Sequence, residues 1–529
     1  MTPVRTSAPA SRARRVGETA LAIFVIIVVW EIAARIMTDS YVLAAPSEVS
    51  VSLAANAELL GRALLVTGRA ALVGFVIGNL AAVALAAFAV LLPQTERVVT
   101  LAALVVFCLP LVATGPVLRV LFGPGEGPQV TLAALAVYYT TMIPVLVGLR
   151  ATPSGWLDLV RSYGRGSVAE LRYVRARASL PYLFAGLQIA APAAFLGAMV
   201  GEFTGAESGL GVLTIRASRD LDIELTWAVA TVATLVSVVA YVLIGAVAKR
   251  VVSDSPPLIL APARPRALRR HRVRDGVLTV VGFTLLILAL WWGGIVATGL
   301  SPFFARTPLD VVRILSGVED DGAVRDTLLG ALVETAALAV PGYLAGLAAG
   351  LGLAVLLTLV PRAATATMPL AIALRAVPIV TTAPLVVLIL GRGAIGGSTL
   401  VAVMVFFPTL IACWEGLRRA PGQALDVLAS YAATSWTELV RVRFPAMLPS
   451  FFAAARMSVP AAVLAVTVVE WLATGTGIGS LMALAASRSG YDTLAGAVVL
   501  VTVLSALGYA LVGAVEARVL RVYAPEQLA

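Results

Sequence analysis

The chain has 529 residues, of which 60% are hydrophobic and 13% charged, with a mean hydropathy of +0.96. Soluble domains carry roughly 25% charged residues, so this composition excludes an ordinary soluble protein and places the chain in a bilayer. The formal charge of +10 resides in arginines between apolar runs, where basic residues anchor spans and set orientation, so no nucleic-acid partner is expected.

The inventory of reactive side chains narrows the function further. Two cysteines, Cys108 and Cys413, lie in or beside apolar runs, and the one histidine, His271, falls in a basic stretch. That set cannot build a structural zinc site, and no metal site is expected. Lys249 is the only lysine, so no Gly-Lys-Ser/Thr phosphate loop exists. If the function consumes ATP, another subunit must hold the nucleotide.

Taken in order, Arg5, Arg12, Arg14 and Arg15 precede an apolar run from about Gly17 to Met37. A basic start before an apolar run resembles a secretory signal, but a similar segment recurs from about Val277 to Leu300. Trp30 matches Trp292 at the spacing of 262 that also relates Pro46 to Pro308. A cleavable signal has no reason to repeat in mid-chain, so the run reads as a first membrane helix. Further spans, each near the ~20 residues needed to cross the hydrocarbon, fall at about 64–91, 97–121, 129–149, 180–202 and 226–248. The second half offers about 277–299, 329–359, 366–391, 398–417, 449–472 and 494–516. The expected fold is all-α, with about 12 transmembrane helices in two groups of six.

With a cytoplasmic N-terminus, the basic segment after the sixth span (Lys249, Arg250, Arg264, Arg266, Arg269, Arg270, Arg272, Arg274) falls inside, as the positive-inside rule requires. The stretch 253–275, with Pro256, Pro257, Pro262 and Pro265, reads as an exposed linker between a first repeat, 1–252, and a second, 276–529. An even number of spans per half makes the repeats parallel, related by an axis along the membrane normal.

The duplication is explicit at an offset of 268 residues. Asp158, Tyr163, Ser167, Glu170, Arg175 and Pro181 recur as Asp426, Tyr431, Ser435, Glu438, Arg443 and Pro449. The same offset relates Pro110, Thr114, Pro116, Gly123 and Gly125 to Pro378, Thr382, Pro384, Gly391 and Gly393, and relates Glu202, Gly209 and Gly211 to Glu470, Gly477 and Gly479. The segments 158–175 and 426–443 are polar, basic islands in an apolar chain. Ordinary loops obeying the positive-inside rule account for their arginines but not for acidic Asp158 and Glu170 returning at fixed positions.

These islands resemble the coupling loop of permease subunits of ATP-binding-cassette importers, whose pattern runs Glu-Ala-Ala, three residues, Gly, then a Leu-Pro and a final Pro. Asp158 and Asp426 stand at its Glu, Gly164 and Ala432 at its Gly, Arg177 and Pro445 at its first Pro, and Pro181 and Pro449 at its last. The segments Leu374 to Gly393 and Phe107 to Gly125, with GEFTGAESGLG and VEWLATGTGIG after the fifth spans, resemble the nitrate, taurine and sulfonate branch. Most members of that branch are single six-helix units that pair as homodimers, whereas here both units share one chain.

The resemblance implies a fused, pseudo-dimeric type I importer permease in the cytoplasmic (inner) membrane, multi-pass, with both termini cytoplasmic. Its implied partners are two copies of an ATP-binding subunit carrying ATP and Mg, an extracytoplasmic substrate-binding protein, and membrane lipid. The implied cargo is a small anionic or heterocyclic solute. Asp158, Tyr163, Gly164, Ser167, Glu170 and Arg175, with Asp426, Tyr431, Ala432, Ser435, Glu438 and Arg443, are the implied ATPase-coupling residues. Ala432 and Arg177 depart from the pattern and imply two unequal docking helices.

For the translocation path or gate the candidates are Glu202, Glu470, Arg375, Pro110 and Pro378. The two glutamates close the fifth spans; the blander reading pairs them with an Arg, such as Arg216 or Arg219, or with a backbone donor. Arg375 lies in an apolar run, where a cation is costly and faces a cavity or a partner; snorkelling or a structural salt bridge is the alternative. An ion-coupled secondary carrier with six plus six parallel repeats is the competing function, and it predicts acidic or histidine relays in mid-span, where this chain has few acids and no histidine.

Overall fold

A computed structural model of the chain describes residues 24–25, 27–36, 43–123, 125–252, 273–301, 303–318, 322–361, 363–364, 367–368, 371 and 379–523. Among the described residues there is helix and no strand. In the first half, residues 27–36 form α1, followed by α2 (Pro46–Ala55), α3 (Ala57–Leu91), α4 (Glu96–Cys108), α5 (Leu111–Phe122), α6 (Gly127–Arg150), α7 (Ser154–Ser162), α8 (Ser167–Glu202), α9 (Leu210–Arg219) and α10 (Ile223–Val251). The second half repeats the series: α11 (Val273–Thr298), α12 (Pro308–Ser316), α13 (Ala323–Leu359), α14 (Ile379–Leu390), α15 (Ala394–Arg418), α16 (Gly422–Ser430), α17 (Ser435–Thr474), α18 (Gly477–Ser487) and α19 (Tyr491–Tyr523).

Nine helices among the described residues are long and apolar enough to cross a membrane, ten with the pair α4–α5. The remaining two expected spans, the first span of the chain and the third span of the second half, are described only in part. Small residues bring the long helices together. Gly74 and Gly78 on α3 lie so close to α6 that a Cβ on either would overlap Val130, Ala133, Ala134 or Val137. At the same offset of 268, Gly342 and Gly346 on α13 press on Ser398, Val401, Ala402 and Val405 of α15, and Gly350 extends the stripe. Lipid supplies no hydrophobic drive between helices, so close backbone approach over small-xxx-small stripes is what holds such pairs.

The third span is broken in the middle. Where the sequence offers a span over about 97–121, two helices, α4 and α5, are bent by 96° at Leu109–Pro110. Pro110 brings no N–H and crowds the residue before it, so Leu109 is extended (ψ 132°) and the helical ladder breaks there. The bend sends α5 into the other half, against α17, α18 and α19, while α14 reciprocates against α8, α9 and α10. One apolar core accordingly contains residues of both halves, among them Leu132, Phe195, Val401 and Val466.

Candidate functional site

The first island is a helix, a tight turn and a second helix. α7 ends at Ser162; Gly164 reverses the chain with φ +70°; Ser167 then opens α8, which carries a π turn over Leu171–Arg175 before running into the span. Glu170 is the clamp of this fold. Its carboxylate accepts from Arg161 Nε at 2.7 Å and from Arg175 at 3.3 Å, while Arg175 also donates to the Leu149 carbonyl at 3.1 Å, tying the island to the end of α6. Asp158 supports Arg161 at 3.4 Å. The hydrogen bond to Glu170 holds the Arg161 guanidinium above its ordinary pKa.

The second island repeats the path with fewer bonds. Arg443 meets Glu438 at 3.5 Å and the Leu417 carbonyl at 3.5 Å, matching Arg175 with Glu170 and Leu149. The counterpart of Arg161 is Ala429, so the second clamp has one arginine where the first has two. At the turn, Ala432 adopts φ +52°, a conformation that costs a residue with a Cβ about 1–2 kcal/mol. Thr434 accepts from the Thr437 amide and caps the short helix, where the first copy has Gly166.

The islands bring most of their predicted residues together but divide them by task. Glu170 and Glu438 with Arg175 and Arg443 face inward and fix the fold, whereas Tyr163 (77% exposed) and Tyr431 (81%) project from the turns. Trp156 and Val168 in the first copy, and Trp436 in the second, are also exposed. No repeat signal marks these three, because their counterparts are Ala424, Trp436 and Val168; an apolar residue in an otherwise polar island was the available cue.

The second group of candidates forms two matched knots. Glu202 and Glu470 are each 1% exposed. The Thr67 hydroxyl donates to Glu202 at 2.6 Å and accepts from the Leu210 amide at 2.9 Å, while the Gly211 amide donates to the other carboxyl oxygen at 2.6 Å. In the second half Thr335 donates to Glu470 at 3.0 Å and accepts from Ile478 at 2.9 Å, and Gly479 donates at 2.8 Å. Glu334 adds a bond from the Gly477 amide at 2.8 Å that the first half lacks. Each carboxyl thus fastens a long helix to the start of α9 or α18, satisfying amides that a helix N-terminus leaves open. The partners are a threonine and the backbone donors that the sequence reading allowed, not Arg216 or Arg219, and both carboxyls are buried. Thr67 and Thr335 stand 268 residues apart, so the repeat held the signal. Pro110 is buried at the 96° bend. Arg375 and Pro378 lie outside the described residues, as do His271 and residues 253–272 of the expected linker.

Among the described residues, an ion pair inside the second-half spans has no first-half counterpart. Arg456 on α17 meets Glu516 on α19 at 3.1 Å, with side chains 12% and 10% exposed, and its guanidinium lies 5.2 Å from the Tyr509 ring centre. The equivalent first-half residues are Gln188, Ala248 and Tyr241.

A duplicated membrane bundle whose halves exchange helices, with two matched exposed feet and no nucleotide-binding loop, defines a permease-type translocation subunit. The chain belongs to the family of binding-protein-dependent transport system inner membrane components: the family model matches residues 74–253 and again 342–521, the same offset of 268. It is an ATP-binding-cassette importer permease with both units fused in one polypeptide. A probable ABC transporter permease protein of Haemophilus influenzae is 29% identical over 222 residues, 42% of this chain and 91% of the relative, so less than half of this chain matches it almost in full. The riboflavin transport system permease of Chloroflexus aurantiacus is 33% identical over 137 residues, 26% of this chain and 51% of that protein. A putative aliphatic sulfonates transport permease of Escherichia coli is 26% identical over 227 residues, 42% of this chain and 83% of that protein.

Proposed function

We propose that this permease carries a small anionic or heterocyclic solute inward across the cytoplasmic membrane. The solute is delivered by an external binding protein, and the motion is driven by two ATP-binding subunits seated under the islands 158–175 and 426–443. The names of the relatives, a riboflavin and a sulfonate permease among them, support that cargo class. The chain itself does no covalent chemistry; ATP and Mg belong to the partners. Residues 1–252 and 276–529 act as the two permease units, joined by the linker 253–275, with both termini cytoplasmic. Loaded binding protein and ATP each favour the outward-open arrangement, and their differential affinity for it sets the population shift.

The observation that carries this reading is the pair of tyrosines, Tyr163 and Tyr431, held at corresponding turns beside the Glu170 and Glu438 clamps and exposed by 77% and 81%. An aromatic so exposed in a membrane protein, kept twice, fits an anchor for a partner's pocket. Replacing both by alanine leaves Glu170 and Glu438 intact. If the tyrosines are central anchors worth about 2 kcal/mol each, every loss weakens ATPase docking roughly thirtyfold. Purified chain reconstituted with its ATP-binding subunit reads this as loss of binding-protein-stimulated ATP hydrolysis and uptake. Unchanged stimulation in the double variant refutes the docking assignment.

A further inference from the structure

The duplication makes each foot a control for the other, and their exposed chemistry differs. Across 154–177 the first foot has five arginines against two carboxylates, and across 422–445 the second has two against two. Topology does not require the excess, since the second foot serves the same position in its half without it. In the first foot the Glu170 carboxylate is taken by Arg161 and Arg175, which leaves Arg165, Arg172 and Arg177, all exposed. Arg177 lies past the π turn, while Arg165 and Arg172 lie together. Their guanidiniums lie 5.6 and 5.8 Å from the Tyr173 ring centre, and the three side chains border an open groove floored by Gly166 and Ser167. Among the described residues no carboxylate pairs with either arginine. The matching positions in the second foot are Ala433, Val440 and Arg441, with Trp436, 61% exposed, where the first has Val168.

Resting on the reading above that the feet dock ATP-binding subunits, we propose that they do so by different chemistry. The first seats Arg165 and Arg172 against carboxylates at the rim of the partner's groove, and the second seats by burying Trp436 and Val440 on the apolar wall of the same groove in the other copy. A planar guanidinium held over an aromatic ring presents its N–H fork to a carboxylate with little further ordering. Tyr163 stands two residues from Arg165, so the cationic groove continues the surface already assigned to the partner.

Affinity of the ATP-binding subunit for the full chain in zwitterionic nanodiscs, measured across salt, tests the assignment. Between about 0.1 M and about 1 M the screening length shrinks from about 10 Å to about 3 Å. Arg165→Gln with Arg172→Gln is expected to lose on the order of tenfold in affinity at low salt and to flatten the salt dependence. Trp436→Ala with Val440→Ala is expected to lose affinity equally at both salts. Placing arginines at the second foot (Ala433→Arg, Val440→Arg) is expected to add salt dependence. Wild-type-like binding by the double glutamine variant at all salts overturns the proposal, as does an effect that appears only when anionic lipid is added, which assigns the groove to headgroups. Wild type that binds no ATP-binding subunit at any salt sinks the parent reading instead.

Discussion

Replacing Thr67 by valine removes one hydroxyl and almost no volume, and the knot around Glu202 predicts a large response. The hydroxyl both donates to Glu202 at 2.6 Å and accepts from the Leu210 amide at 2.9 Å. Valine leaves the Leu210 amide and one Glu202 carboxyl oxygen without the hydroxyl, in a place where Glu202 is 1% exposed and water cannot take over. An unsatisfied buried polar group costs about 1–3 kcal/mol, so the two together amount to roughly 2–6 kcal/mol. Thr67→Ser retains both bonds and sheds one methyl, about 1 kcal/mol. Detergent-solubilised membrane proteins of this size unfold irreversibly, so the assay is the half-life of thermal inactivation, followed as the fraction remaining monodisperse. Valine is expected to shorten it far more than serine, and Thr335→Val to do the same in the second half. Equal half-lives for Thr67→Val and Thr67→Ser refute the reasoning, since the hydroxyl would then contribute nothing.

Ala432→Gly relieves the φ +52° strain at the second turn and is expected to raise stability by about 1 kcal/mol, while Gly164→Ala at φ +70° loses a similar amount; thermal unfolding of the two variants checks the opposite signs. Glu516→Ala strands Arg456, whose side chain is 12% exposed, and is expected to cost about 3–5 kcal/mol. The joint change of Arg456 and Glu516 to leucine restores most of that, measured by the same inactivation assay as a double-mutant cycle. Gly477→Ala places a Cβ on the Glu470 carboxyl at a position with φ +79°; it is expected to reduce folded yield sharply, with Gly475→Ala, where the Cβ meets nothing within 4 Å, as the milder control.

The spans were legible because a bilayer demands long apolar runs, and the duplication because residues at offset 268 keep their types. Pro110 marked an interruption in the third span, but its size depends on α17, α18 and α19 of the other half, which receive α5 and are distant in sequence. Glu202 and Glu470 stood out as charges, with either an arginine, Arg216 or Arg219, or a backbone donor as the expected partner; the backbone donors are present and the threonines were not foreseen. A buried carboxyl at a helix start is served equally by a hydroxyl and by the free amides of the next helix, and a threonine within an apolar run carries no local mark. Arg375 drew attention as an intramembrane cation while Arg456 lies as deep in its own run. Its partner Glu516 is sixty residues away, and nothing short of the packing of α17 on α19 joins them.

The central claim is that both feet face the cytoplasm and are covered by the ATP-binding partner. Single cysteines at positions 162 and 430, the exposed serines next to Tyr163 and Tyr431, introduced with Cys108 and Cys413 changed to serine, are to be labelled with a membrane-impermeant maleimide in inverted and right-side-out vesicles. The account predicts rapid labelling only in inverted vesicles and its loss when the ATP-binding subunit is added. Labelling from the outer side, or labelling that the added subunit leaves unchanged, contradicts it.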